Sequence, residues 1–392
     1  MLLPDQPVET ISPWAFLPPH CPWSACGSHH LEHPGGFRYH RHGFFLRSSD
    51  GRPVPRFRCL ACRRTFSQQS FAFSYYLKRA ALAEPIAAGL LAGSAHRQLG
   101  RSLACAPSTV TRLSARLGRH ALLFSAHALD HLPALNEPVV YDDFETFVHC
   151  QDLPVGLGTA VGHGSWYVYD IEQAPHRRGG RLSPTQRQRQ KERLDRAGRP
   201  IPGGYQKAFS RTLRLLLSRI ARGARLRMIT DGKPDYSRVL NRSALHWQVE
   251  HHVFPNPPRG PKGSPRSREA RRRDAAMFPV DLFHGLLRHS LGHHRRETIA
   301  FGRRLIALMG RGFLTRVWRN FVKARSERRP EPDTPAMHLG LTTVPWTWRQ
   351  VLARRRFVRR EKAPREWLRI YRRELVTRII GKNCRHELVN AF

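Results

Sequence analysis

The chain has 392 residues, enough for two or three domains and a sizeable core. It carries 67 Lys and Arg against 29 Asp and Glu, a formal net charge of +38. Self-repulsion on that scale calls for a polyanion, so nucleic acid is the expected partner; no apolar run approaches the roughly 18 residues of a membrane span, which argues against a membrane protein.

The N-terminal stretch has neither a basic start nor an apolar signal core, and the cysteine count, seven, is odd. Both point to a reducing, cytoplasmic setting, close to the nucleoid if DNA is the partner, rather than to a disulfide framework. Residues 1–80 contain "CPWSAC" (Cys21, Cys26) and "RCLAC" (Cys59, Cys62). Two close pairs can offer four thiolates to one tetrahedral Zn2+, and a small domain without much core needs that metal to fold. His20, His29 or His30 could replace one ligand. Cys105, Cys150 and Cys384 stand alone and read as packing residues.

Residues 81–130 change to Ala, Leu, Arg and Ser at helical spacing. Within them "HRQLGRSLACAPSTVTRLSARLGRH", 96–120, reads as a short helix, a turn at Cys105–Pro107 and a second helix capped by Ser108. Ser108, Thr109, Thr111, Arg112 and Arg116 then lie near the start of a helix suited to a DNA major groove. An ordinary helical hairpin is the plainer alternative.

Pro133, Glu137 and Pro138 mark a linker. "VVYDDFETFV" (139–148) and "SWYVYDI" read as neighbouring strands, with a turn region containing Gly156, Gly158, Gly162 and Gly164 between them. "YQKAFSRTLRLLLSRIARG" places Phe209, Leu213, Leu216, Leu217 and Ile220 on one helical face. "RLRMIT" and "LHWQVEHHVF" read as two more strands. Residues 174–203 and 255–276 lack an apolar period and read as solvated basic insertions. The pattern is helical again over 279–324, and a basic tail, 331–392, shows helical stretches at 348–358 and 367–380. Strands interrupted by a crossover helix imply a mixed sheet with helices packed on it.

The first of those strands holds Asp142, Asp143 and Glu145, three scarce acids in a basic chain. They repel one another unless a cation intervenes, and a hard ion such as Mg2+ takes one or two carboxylates together with substrate phosphate oxygens. "RMITDGKPDY" offers a second acid, Asp231, at a strand's carboxyl end, where open α/β sheets bind ligands. By itself, Asp231 is also an ordinary Asp-Gly turn residue.

The order of these motifs, continued by "DLFHGLLRHSLGHHRRETIAFGRR" and "VWRNFVKARSERRPEPDTPAMHLGL", resembles bacterial insertion-sequence transposases of the DDE type, closest to the insertion sequence one class. The resemblance covers most of residues 20–345; the two basic insertions depart from it. It implies a zinc ribbon, a helix-turn-helix and, over 131–330, an RNase H-like catalytic domain: a mixed five-stranded sheet flanked by helices. It implies Asp142 and Asp231 as catalytic ligands of two Mg2+ ions, with Mn2+ able to substitute, and Asp143 as the acid beside the first. For the third acid the family register gives Asp281, with His284 and Arg288 at the accompanying positions; Glu297 is the rival. Asp281, His284 and Arg288 are spaced three and four apart and share a helical face. Glu297 would lie roughly 160° around an unbroken helix from Asp281, unless the helix breaks near Gly292.

The expected activity is cleavage and strand transfer of double-stranded DNA at transposon ends, by a homo-oligomer on the DNA. His284, Arg288, Arg295, Arg296 and Lys233 would steady phosphates. A catalytically inactive, transposase-derived DNA-binding protein is the alternative.

Overall fold

The computed structural model describes residues 1–33, 35–244, 246–258, 260–261, 263–295, 298–328 and 331–380. Arg296, Glu297 and Cys384 therefore lie outside the described residues.

Strands β1 (Tyr39–Leu46), β2 (Pro53–Cys59) and β3 (Thr65–Ser67) form a small antiparallel sheet. Its own core consists of Phe16, Phe37, Phe57, Phe66 and Phe71 together with Phe357 from far along the chain. Helices α1 (Ala83–Leu91), α2 (His96–Ser102) and α3 (Pro107–Asp130) follow. The turn between α2 and α3 is tight: a Cβ on Gly100 would lie 2.9 Å from the Cys105 carbonyl.

The second sheet has the order β6-β5-β4-β7-β8. It comprises β4 (Val139–Phe147), β5 (Pro154–Gly162), β6 (Val168–Pro175), β7 (Leu226–Thr230) and β8 (Val249–Val253). β4, β5 and β6 pair antiparallel, whereas β4–β7 and β7–β8 are parallel. Between β6 and β7 run α4 (Pro184–Ala197) and α5 (Gly204–Leu217); α6 (Pro234–Arg242) follows β7, and α7 (Arg268–Ser290) and α8 (Leu305–Val317) follow β8. The order, the mixed pairing and the helices bear out the expected mixed α/β sheet.

Several elements differ from the sequence reading. The glycine-rich segment is not a turn region but the strand β5, paired along its length with β4. Its glycines make space on the sheet face: a Cβ on Gly158 would meet the Tyr141 hydroxyl at 2.0 Å, and one on Gly156 would meet Tyr205 at 2.8 Å. Part of the first basic insertion is α4, whose start is fixed by a reciprocal Ser183–Gln186 cap. α4 buries only Gln190 and Leu194, too little to produce a visible period, and Arg178 and Arg193 tie its region to the buried Asp152. The second insertion supplies the first turns of α7, capped by Ser267.

Residues 331–380 pack into the body instead of trailing from it. Trp346, Trp348, Val351, Trp367, Ile370 and Tyr371 join the same core as the sheet and α1–α3. Tertiary packing replaces helix here: α9 (Pro335–His338), α10 (Trp348–Val351) and α11 (Arg365–Tyr371) are all short. The segment also holds the small sheet in place, because Phe357 enters that sheet's core and the Arg355 N–H donates to the Phe71 carbonyl at 2.7 Å.

α3 joins the N-terminal helices to the large sheet. Its first two turns are largely exposed, but from Arg116 to Ala126 every residue is buried. It crosses α8 at glycines: a Cβ on Gly118 would lie 2.8 Å from the Gly310 Cα, whereas one on Gly310 would stand 3.6 Å from the Gly118 Cα. The two glycines are therefore not equivalent. Gly118→Ala is expected to lower stability by about 1–3 kcal/mol through overpacking against backbone. Gly310→Ala meets only ordinary contact and is expected to be neutral or stabilising by up to about 1 kcal/mol from helix propensity. Urea denaturation of the two variants measures the difference.

Candidate functional site

Strand alternation separates the three acids of β4. Asp142 and Phe144 face α7: the Phe144 ring lies 5.3 Å from His284 and 5.0 Å from His294. Tyr141, Asp143 and Glu145 face α5 and α6, where the Tyr141 ring packs 4.8 Å from Phe209 and 5.2 Å from Tyr236.

Asp231 reaches Asp142 through strand register. In the parallel β4–β7 pair, Val139 is level with Met228, Val140 with Ile229 and Tyr141 with Thr230. The next residues are Asp142, on β4, and Asp231, the first residue after β7. Parallel neighbours in register project to the same face, so the two carboxylates are directed into one region. Burial, and next the negative charge of Asp231, push the Asp142 carboxyl up to about 7; Asp143 and Asp281 add smaller repulsions. Among the described residues, no Lys or Arg forms an ion pair with either Asp142 or Asp231. Asp142 accepts the Asp143 N–H at 2.8 Å and has the His284 ring nitrogen 3.8 Å away. Burial holds that imidazole down at about 3, so it is a neutral neighbour.

α7 carries the predicted trio. His284 shares a 2.7 Å hydrogen bond with the Thr159 hydroxyl on β5, and Arg288 lies over the Phe144 ring at 4.7 Å. Asp281 acts on Asp142 electrostatically but is half-buried and paired with Arg273. The helix ends at Ser290, a break near Gly292 that removes the angular argument against the rival acid, which itself lies outside the described residues. Sequence reasoning did not single out His294, whose buried ring touches Phe144 and shares a 3.1 Å hydrogen bond with Thr146; an adjacent His pair in "GHHRR" carries no spacing that would have marked either ring.

The residues fit a hard divalent cation in one respect and are more open in another. Two like charges, one of them largely buried, meet without a countercharge. The acids do not, however, form a compact cage: among the described residues the one group of three or more ligand atoms all within 4.8 Å of one another is Cys21, Cys26, Cys59 and Cys62. A Mg2+ site needs only one or two carboxylates, with water or phosphate completing the shell.

The cysteine quartet is a metal-sized cage. Its Sγ atoms stand 3.8 Å apart for Cys21–Cys62 and for Cys26–Cys59. Four thiolates around Zn2+ at about 2.3 Å define a tetrahedron with edges of about 3.8 Å. His20 and His29 are not additional ligands in this arrangement: each ring nitrogen Nδ1 bonds the Cys21 carbonyl, at 3.0 and 2.7 Å. His30 is exposed.

In the segment expected to be a helix-turn-helix, Ser108, Thr111 and Arg112 are exposed and Thr109 is half-buried. Two expectations are corrected. The N-cap of α3 is Ala106, with Pro107 at the first turn, so Ser108 does not cap it. Arg116 is buried and donates to the Phe73 and Tyr75 carbonyls at 2.5 and 2.7 Å, anchoring the segment that enters α1. The helix turns Arg116 inward because it lies on the face of Leu113 and Leu117. Arg295 is exposed and lines a cleft with Gly93, Ser94, Gln98 and Arg101 at the α1–α2 turn. No helix among the described residues is long and apolar enough to cross a membrane.

No family model matches this chain, and no curated protein matches it.

The cage is expected to hold one metal ion per chain. Metal analysis should return close to one equivalent for the intact protein and a clear loss for Cys59→Ser. Removal by a strong chelator should unfold the β1–β3 region first, seen as selective gain of amide exchange over 20–72.

Proposed function

We propose that the protein is a DNA transposase of the DDE type, and that its second sheet is an RNase H-like catalytic domain. The observation that carries the reading is the register that sets Asp142 beside Asp231 with no countercharge between them. The strand order, with β4 central and antiparallel to one neighbour and parallel to the other, supports the fold assignment.

Asp142 and Asp231 would hold Mg2+, with Mn2+ as a substitute, and either Asp281, after release from Arg273, or Glu297 would complete the set. Such an ion supplies activation of a water or sugar hydroxyl and stabilises the leaving oxygen at phosphorus. The chain's own residues prepare the place. Asp142 is kept free of Arg and Lys partners, His284 is kept neutral against Thr159, and Phe144 carries Arg288 across its face. Arg288, with Arg295 at the nearby cleft, would hold phosphates, a role suited to the planar guanidinium fork. Ser108, Thr109, Thr111 and Arg112 would read the duplex, and Zn2+ in the cysteine cage would set the small sheet that precedes them. The net charge of +38 supports a nucleic-acid partner. Action on two DNA ends implies a multimer on DNA.

The test is cleavage of DNA carrying the element's own ends with Mn2+. Asp142→Ala and Asp231→Ala should each lose cleavage by a factor of about a thousand or more while retaining DNA binding in gel shifts, because electrostatic stabilisation at the reacting phosphate is lost but phosphate contacts elsewhere remain. Wild-type protein that binds DNA yet never cuts would refute the enzymatic reading and leave a DNA-binding protein.

A pH dependence follows from Asp142. Its carboxyl is raised in the fold, so without a cation this group favours the folded state most at acid pH, and the contribution is lost as pH rises through about 7. A cation competes with that same proton. Mn2+ affinity, followed by titration of the free ion, is expected to level off above pH 7 and to weaken by up to about tenfold per pH unit below it.

A further inference from the structure

The face of β4 opposite Asp142 contains a second polar cluster. Asp143 is buried, and its Oδ2 accepts from the Lys233 ammonium at 3.1 Å and from the Tyr236 hydroxyl at 2.8 Å. Lys233 and Tyr236 belong to the turn that follows Asp231. The Lys233 backbone N–H donates to Asp231 Oδ1 at 3.1 Å, and Tyr236 lies in the first turns of α6. One residue, Lys233, thus holds the Asp231 carboxylate by its main chain and Asp143 by its side chain.

The cluster continues outward. The Lys233 ammonium also sits over the Tyr205 ring, 2.9 Å from its centroid. Tyr205 donates to Glu145 at 2.7 Å, and Glu145 pairs with His176 at 3.2 Å. The glycines of β5 make the space for it. Added Cβ atoms at Gly156 and Gly158 would strike Tyr205 and Tyr141, and the second would also stand 3.2 Å from Asp143 Oδ1.

We propose that Asp143 is a positioning residue for the acid pair: through Lys233 and Tyr236 it fastens the Asp231–Gly232–Lys233 turn to β4, so that Asp231 is held level with Asp142. The reasoning is mechanical. Ladder pairing between β4 and β7 stops at Tyr141 and Thr230. Beyond that point β4 itself gives Asp231 no ladder bond; its carboxylate is met by the Lys233 N–H at 3.1 Å and the Asn256 side-chain amide at 3.4 Å, while the charge of Asp142 opposes its approach. Gly232, with φ +88°, gives the turn a left-handed step that a side chain would resist. A buried carboxylate bonded to two groups of that turn opposes the repulsion from the far side of the same strand. Asp143 itself touches neither cation nor substrate.

The inference rests on the proposed cation site, and the experiment separates the two. Mn2+ binding is titrated on the full chain without DNA, by the loss of free-ion signal, for Asp142→Ala, Asp143→Asn, Lys233→Met, Tyr236→Phe and the double variant Asp143→Asn/Lys233→Met. Supporting groups behind metal ligands typically contribute about 10–100-fold in affinity. Asp143→Asn and Lys233→Met should each weaken Mn2+ binding by about tenfold or more, and Tyr236→Phe by less. The double variant should be no weaker than the worse single one, since both remove one linkage. DNA binding in gel shifts should be unchanged for Asp143→Asn and Tyr236→Phe, neither of which removes a candidate phosphate contact. If Asp142→Ala abolishes Mn2+ binding but Asp143→Asn and Lys233→Met leave it at the wild-type value, the positioning role is wrong and the cation site stands. If Asp142→Ala leaves Mn2+ binding intact, both fail. Should Asp143→Asn not fold, Lys233→Met and Tyr236→Phe decide, because Lys233 is partly exposed and Tyr236→Phe preserves the packing; an unchanged affinity in both overturns the proposal.

Discussion

The parallel register of two strands, which sets a pair of acids side by side at the end of the ladder, is the constraint on which the proposed site depends. Parallel pairing of β4 with β7 brings Asp142 and Asp231 level, and the low-dielectric setting of Asp142 magnifies their interaction. A protein with 67 Lys and Arg could have neutralised the pair easily. Instead the nearest ring, His284, is uncharged, and Arg273 is committed to Asp281. Like charges without a partner, one of them largely buried, are costly to a fold, and sites that bear that cost are commonly functional.

The two faces of β4 divide the labour. Facing α7, Asp142 has no Lys or Arg ion-pair partner among the described residues, and Arg288 is laid over Phe144 instead. Facing α5 and α6, the same strand buries Asp143 in contact with Lys233 and Tyr236, and there the charge is compensated. Period-two alternation alone produces this separation, so "DDFE" encodes two environments and not one acidic cluster. Glycines in β5 allow the aromatic side of the strand to be thick, whereas Thr159 on the other side shares its hydroxyl with His284.

Much of this was legible in the sequence. The cysteine spacing, the strand around Asp142, the strand ending at Asp231 and the amphipathic helix through Phe209 and Leu213 each had a local signature. What was hidden depended on tertiary contact. β5 looked like a turn because its glycines answer to Tyr141 and Tyr205, which come from other elements. α4 had no apolar period because it covers little core. Arg116 read as a surface cation, yet it finishes between two backbone carbonyls that the sequence places some forty residues away. The three acids of β4 look like one set in the sequence, yet period-two alternation assigns Asp142 to one face and Asp143 and Glu145 to the other.

α3 has a consequence for how the ends of the molecule relate. Twenty-four residues of continuous helix extend about 36 Å. Its leading turns project outward, and its remainder is locked against α8 through Gly118 and Gly310, leaving no hinge in between. On the proposed reading, a groove engaged by those leading turns would be held at a fixed distance from the carboxylates. The helix would then fix the orientation of the bound duplex relative to the site.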